Sequence, residues 1–373
     1  MTLNRVIGYI LLPHFTSHYH FLVLAKSLVP QYLDAISFSG VDLSTLKRLG
    51  EFRGRQELFR QRSPEVLELL KQVAVIESAE SSNRIEGVTA PHDRIEALVM
   101  RPTAPANRSE QEIAGYRDAL NLIHDSARDM AFSVNVVLQV HTVLYRFLSS
   151  GGGRWKMTSN EIVERNPDGS VHRIRFTPVS PVATPQAMED LVAGYERAVD
   201  EQREQLVVVP LAVLDFLCIH PFTDGNGRMA RLLSLLFLYH FDFEVGRYIS
   251  LERVIEQSKE TYYEALEASS KGWHEGHHDA RPWMSYFWGV LLAAYKEFED
   301  RVGDVRGAPG AKTALIEQAV RRRLRPFGIA DIEAECPGVS RDMVRHVLRQ
   351  MRARGEIEIR GRGRTAKWSR VSK

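Results

Sequence analysis

Twelve consecutive residues concentrate groups that could do chemistry: His220-Pro221-Phe222-Thr223-Asp224-Gly225-Asn226-Gly227-Arg228-Met229-Ala230-Arg231. They hold one imidazole, one carboxylate, two glycines, an amide and two guanidiniums. Each type suits phosphate chemistry. Glycines let backbone N–H groups approach an anion with no Cβ in the way. Asp224 is a hard oxygen ligand for Mg²⁺, which normally arrives with nucleotide phosphates. His220 titrates near neutrality and can take a proton from an incoming hydroxyl. The structural alternative is a polar turn with one packed histidine and solvated arginines, and the density of functional types argues against it.

The flanking residues say how such a stretch is held. An apolar run, Leu206 to Ile219, leads in, and a second, Leu232 to Tyr239, leads out. Both are long enough for helices and too polar at their ends for membrane spans. The stretch between them therefore reads as a loop that starts the second helix. A helix start adds unpaired N–H donors and a positive dipole end. Arg228 and Arg231, three apart, share a face of the first turn and can fork onto phosphate oxygens.

The stretch resembles the Fic family signature, HPFxDGNGRxxR, at every defined position. The resemblance implies transfer of AMP from ATP to a Ser, Thr or Tyr hydroxyl of a target protein, the chain itself included. His220 would be the general base and Asp224 the Mg²⁺ ligand. Asn226 and Gly227, with the neighbouring amides of Gly225, Met229 and Ala230, would form the anion cradle. Arg228 and Arg231 would hold the β- and γ-phosphates, and Phe222 would anchor the loop in the core.

Other segments gain meaning beside it. A helical stripe after Pro64 (Val66, Leu69, Leu70, Val73, Ile76) runs towards Ser81-Ser82-Asn83-Arg84-Ile85-Glu86-Gly87. Read alone, this is a helix end closed by Gly87. It also matches the family's inhibitory motif, [S/T]xxxE[G/N], with Ser82 and Glu86 in place. The match implies that Glu86 pairs with Arg231. A guanidinium so engaged is withheld from the γ-phosphate, and the carboxylate repels that phosphate. Two β-like runs around Asn166-Pro167-Asp168-Gly169 read as a hairpin. By resemblance it is the flap, placed at residues 160–177, that registers the target, with Arg175, Phe176 and Thr177 nearest the site. Tyr262 and Tyr263 would border the adenine, core packing of at least one being the alternative. Relatives often carry Asn where this chain has Ser270. His124 and His141 sit inside apolar helices and read as structural, and His274, His277 and His278 lack the spacing of a metal site.

The expected fold is mainly α: a Fic-type helical bundle with a β-hairpin flap, followed by a small winged helix-turn-helix (α+β) module. The expected domains are an N-terminal extension at 1–40, a helical region with the inhibitory helix at 41–106, the Fic core at 107–300 and the winged-helix-like module at 311–373. Residues 1–40 read as an extension without chemistry, of the kind an upstream start would add, and residues 303–310 as a Gly/Pro linker. The third helix of the terminal module and its strands carry Arg341, Arg345, Arg349, Arg352, Arg354, Arg360, Arg362, Arg364 and Lys367, opposed by Asp342, Glu356 and Glu358. That is the footprint of DNA binding, with protein docking or dimerisation as the alternative.

The net charge of +2 excludes a global polyelectrolyte field. Two cysteines, Cys218 and Cys336, give no disulfide framework and no metal spacing. A cytoplasmic setting without membrane partners fits. A homodimer is among the expectations, since relatives with the inhibitory helix can dimerise. Two other functions stay open: removal of AMP from a modified protein, with Glu86 positioning water, and a DNA-bound regulator that senses nucleotide without turnover. Phosphoryl transfer goes with a lysine in place of the second glycine, and Gly227 is present.

Overall fold

The computed structural model describes residues 26–371 apart from 63, 102, 166–167, 169, 307–310, 324–325, 337–338 and 362–366. The helices up to the hairpin are α1 (Pro30–Ala35), α2 (Gly40–Arg62), α3 (Pro64–Ile85), α4 (His92–Met100), α5 (Arg108–Ser126) and α6 (Val134–Leu144). The hairpin is β1 (Ile162–Arg165) with β2 (Val171–Phe176). After it come α7 (Thr184–Asp200), α8 (Gln205–Ile219), α9 (Asn226–His240), α10 (Leu251–Gln257), α11 (Lys259–Ser270) and α12 (Arg281–Arg306). The terminal residues form α13 (Ala311–Arg322), α14 (Ile329–Glu335), α15 (Arg341–Ala353), β3 (Ile357–Arg360) and β4 (Lys367–Arg370). The architecture is mainly helical, with two separate two-stranded antiparallel sheets among the described residues.

The centre of the main body is the pair α8 and α9. From Leu206 to Ile219 every residue of α8 is buried, as suits a helix that is apolar on all sides. Helices α7, α9, α11 and α12 pack around it. Pro210 lies inside α8. Its missing N–H leaves the Leu206 carbonyl without its i+4 donor. The Trp288 indole fills that gap, with Nε1 donating to Leu206 O at 2.7 Å. Trp283 Nε1 likewise donates to Pro210 O at 2.7 Å. Two tryptophans of α12 thus hold the helix that carries the loop. Asn107 and Ser133 cap α5 and α6, each accepting from the backbone N–H three residues on.

Two expectations need correction. Within the supposed extension, Ser27 and Leu28 are buried and α1 follows. Ser27 N–H and Oγ–H both donate to the buried Asp215 carboxylate of α8, so residues 26–40 belong to the body, and 1–25 lie outside the described residues. The supposed linker is helical as far as Arg306, because α12 continues through it, and 307–310 lie outside the described residues. The same holds for Arg362 and Arg364 of the basic terminal strands, and for Asn166, Pro167 and Gly169 of the hairpin turn. No helix among the described residues is long and apolar enough to cross a membrane.

Candidate active site

The hairpin, α8, α11, the C-terminal end of α3 and the residues between α8 and α9 enclose a cleft of about 670 Å³, within the size range of small-molecule sites. His220, Thr223, Asp224, Gly225, Asn226 and Gly227 line one wall. Glu86, Arg175, Phe176, Tyr262 and Tyr263 also line it. The sequence-predicted residues of four separate segments therefore converge.

His220 ends α8 with φ 51° and ψ 59°, a left-handed conformation uncommon outside glycine. Its Nδ1 lies 3.2 Å from Leu217 O. A carbonyl only accepts, so Nδ1 carries the proton and Nε2 keeps its lone pair. Burial holds the ring down to about pH 4, the charge of Lys156 adding to it while the Leu217 carbonyl, Glu86 and Asp224 oppose it. The ring is therefore a neutral proton acceptor at pH 7. Asp224 is the exposed carboxylate of the loop. Burial pushes its pKa up, but the Tyr145 hydroxyl, Arg228 and the Gly225 N–H outweigh that and keep it below the ordinary value.

Gly225, at φ +82°, is tucked so close to the Tyr145 ring that a Cβ would collide with it. A Cβ on Gly227 would collide with Glu86 Oε1. Helix α9 starts here, and Met229 N–H is the first to bond back into the turn, at 2.8 Å from Gly225 O. The amides of residues 226–228 head the helix without an intrahelical partner. The Asn226 side chain is turned inward, where its Oδ1 accepts from Phe222 N at 2.9 Å and its Nδ2 donates to Phe222 O at 2.7 Å. Asn226 offers the cleft its backbone while its amide braces the loop. Phe222 is fully buried and stacks on His141, centroids 3.7 Å apart. His141 Nδ1 accepts from Gly153 N and its Nε2 donates to Asp224 O, so this histidine has the structural role expected of it, as a strut beneath the loop.

Arg228 and Arg231 do not line the cleft; both are buried. Arg228 Nη1 donates to Glu112 Oε2 at 2.7 Å and Nη2 to the Tyr145 hydroxyl at 3.0 Å. Arg231 Nη2 lies 2.8 Å from Glu86 Oε1, and its Nε donates to Ser82 Oγ at 2.8 Å. Burial disfavours the Arg231 charge, yet Glu86, with Tyr262 and Tyr116 beside it, outweighs burial and raises the pKa. Arg231 Nη1 is buried with no hydrogen-bond partner among the described residues. Met229 and Ala230 point into the core.

On the opposite wall Arg175 Nε donates to Glu267 Oε2 at 2.9 Å. With Arg173 leading and Arg175 second, the two guanidiniums hold the Glu267 carboxyl down to about 2. Phe176 stacks on His274, which bonds Thr177 O at 2.8 Å. Tyr262 is buried against Trp283 and Tyr286, whereas Tyr263 is half-buried at the rim. Ser270 lines the cleft and bonds Glu267 O at 3.2 Å. Cys218 is buried, which raises its thiol pKa well above the ordinary value.

Sequence reasoning missed Glu112, Tyr145, Lys156 and Asn160. Glu112 left one signal: it shares the apolar stripe of α5 with Tyr116 and Leu120, four and eight residues on, where an acid needs a buried partner.

The sequence model of the Fic/DOC family matches residues 131–238. Protein adenylyltransferase fic-1 of Caenorhabditis elegans is 27% identical over 183 residues, 48% of this chain and 32% of that protein. Protein adenylyltransferase Fic of Nematostella vectensis is 25% identical over 217 residues, 55% of this chain and 44% of that one. The chain thus spans less than half the length of either relative. A Fic family protein from Desulfovibrio desulfuricans G20 shares the fold at TM-score 0.59 and 22% identity, over 91% of this chain and 98% of the other.

Proposed function

Since the chain belongs to the Fic family through a domain at residues 131–238, we propose that it is a protein adenylyltransferase. It transfers AMP from ATP to a Ser, Thr or Tyr hydroxyl of a target protein, with itself among the candidates. The observation that carries this reading is one cleft lined by a neutral imidazole, an exposed carboxylate and the glycine-flanked start of α9. Two relatives bear the name protein adenylyltransferase, which supports it.

His220 Nε2 takes the proton of the target hydroxyl, and the oxygen attacks the α-phosphorus while diphosphate leaves. The amides at the head of α9 face the phosphates. Asp224 fits Mg²⁺, because that ion asks for only one or two carboxylates beside substrate phosphates. Mg²⁺ would supply charge neutralisation of the phosphates. The half-exposed Tyr263 presents a ring for the purine, and the hairpin offers its edge to an extended target segment.

Glu86 is the brake. Its carboxylate stands 2.8 Å from Arg231 on the cleft wall, where it withholds the guanidinium and repels a γ-phosphate. The decisive assay uses ATP labelled on the α-phosphate, Mg²⁺ and a lysate. Glu86→Gly should label protein strongly, wild type weakly, and Glu86→Gly with His220→Ala not at all. Label that is removed from modified protein by the wild type would instead assign the cleft to AMP removal.

A second reading concerns the partner of the terminal residues. Helix α15 buries Val344, Val347, Leu348 and Met351 and leaves Arg341, Arg345, Arg349 and Arg352 outside. This arginine row supports a winged helix that docks on DNA phosphates.

A further inference from the structure

Four consecutive backbone carbonyls, from residue 219 to residue 222, meet donors from only two residues of a neighbouring segment. Lys156 Nζ donates to Ile219 O at 3.1 Å, and Lys156 N–H donates to Pro221 O at 2.9 Å. Asn160 Nδ2 donates to Phe222 O at 2.7 Å and to His220 O at 3.3 Å. The two clamp residues are joined, since Lys156 Nζ also donates to Asn160 Oδ1 at 2.9 Å. Lys156 is 1% exposed, although lysine is among the residues least often buried. No carboxylate accepts from it among the described residues.

The clamp surrounds the one residue of the loop whose backbone is strained. His220 is held left-handed, at a cost of about 1–3 kcal/mol that the surroundings must offset. The Asn226–Phe222 bonds within the loop and the His141 bond from α6 to Asp224 O fix the stretch after His220. Among the described residues, Lys156 and Asn160 are the pair that grips it on both sides. Asn160 lies two residues before β1, so the clamp also ties the loop to the root of the hairpin.

We propose that Lys156 and Asn160 are the positioning residues of His220, holding its backbone in the posture that aims Nε2 into the cleft. This rests on the adenylyltransferase reading above for its kinetic test, but not for its spectroscopic one. The ring also faces Glu86 from α3 and Asp224 from its own loop, with Glu161, Arg175 and Glu267 on the remaining walls of the cleft. Lys156 is a cation whose charge bears on the ring, and it favours the neutral form. Burial in turn lowers the lysine to about 8.

The test compares Lys156→Met, Lys156→Arg and Asn160→Asp in the Glu86→Gly full-length chain. Misplacing a catalytic group by an ångström costs about 100-fold, so kcat should fall by that order in Lys156→Met and Asn160→Asp. KM for ATP should stay unchanged, and Lys156→Arg should retain most of the rate. Asn160→Asp keeps side-chain shape and the acceptor for Lys156 while losing the donor to the carbonyls, so it decides the matter if Lys156→Met fails to fold. The His220 ring is followed by its ¹³Cε1 resonance against pH, which needs no turnover. Its titration should move upward in Lys156→Met and stay in place in Lys156→Arg. Unchanged kcat and an unchanged His220 titration in both Lys156→Met and Asn160→Asp overturn the proposal. A rise in KM that accounts for the whole loss also overturns it, since the pair would then be nucleotide ligands. If even Glu86→Gly transfers no AMP, the adenylyltransferase reading fails and the titration alone decides the clamp.

Discussion

His220 differs from a solvated histidine in one measurable way. A solvated imidazole is half protonated near pH 6.5, whereas burial holds this ring neutral down to about pH 4. A general base must be unprotonated, so its contribution is complete above the folded pKa and disappears as pH falls through it. Single-turnover AMP transfer by Glu86→Gly should therefore hold its plateau through pH 5.5 and fall only on approach to pH 4. Removing Glu86, whose charge favours the protonated ring, moves the limb no higher. A half-point near 6.5 would show that His220 is solvated or is not the base. The same residue shows where sequence reading stops. The signature identifies an imidazole beside an anion cradle, because residue types and spacing carry that information. The proton on Nδ1 follows from a 3.2 Å approach to Leu217 O, which is a fact of the chain's path.

Helix α3 is the element on which the proposed brake depends, and its end is fastened to α10 and α11. Lys259 Nζ donates to Ile85 O at 2.7 Å, one residue before Glu86. Arg84 reaches Glu256 at 3.1 Å. A lysine on a helix's last carbonyls satisfies an orphan acceptor and opposes the dipole. Lys259→Met should loosen this end and raise AMP transfer above wild type, by less than Glu86→Gly does, because the Glu86 carboxylate remains. A rate equal to wild type would mean that Ser82 and Arg231 alone fix the glutamate. Elements such as α8 and α9 were legible because each is a long apolar run bounded by polar loop residues. The clamp was not: Lys156 meets Ile219 O across 63 positions, and nothing local in Gly-rich 151–156 marks a lysine that will be buried. Likewise α12 runs past the expected linker to Arg306, since a single glycine at 303 lowers helix propensity by about 1 kcal/mol without forbidding the helix.

At the scale of the molecule, the described residues form two hydrophobic cores. One joins α1 through α12, from Leu28 to Val302. The other is confined to the terminal residues, where Ile316, Phe327, Val344, Leu348 and Trp368 meet. Its exposed side carries the arginines of α15, and two of these are ion-paired within the module. Arg341 lies 3.0 Å from Glu333, and Arg345 lies 3.1 Å from Asp342. Both pairs are exposed, and such pairs hold their partners by only about 0–1 kcal/mol. Phosphates can therefore displace the carboxylates, and the row remains available to a polyanion. Counterion release then sets the signature of binding: log K falls with log salt by about 0.9 per phosphate contacted. Full-length protein should retard duplex DNA at low salt, and Arg345→Ala with Arg349→Ala should lower the slope by about 2. AMP transfer by the cleft should be untouched by these substitutions, since the arginines belong to the other core. Absence of retardation even at low salt would turn the arginine row over to an acidic protein surface. A slope that the substitutions leave unchanged would move the contacts off α15.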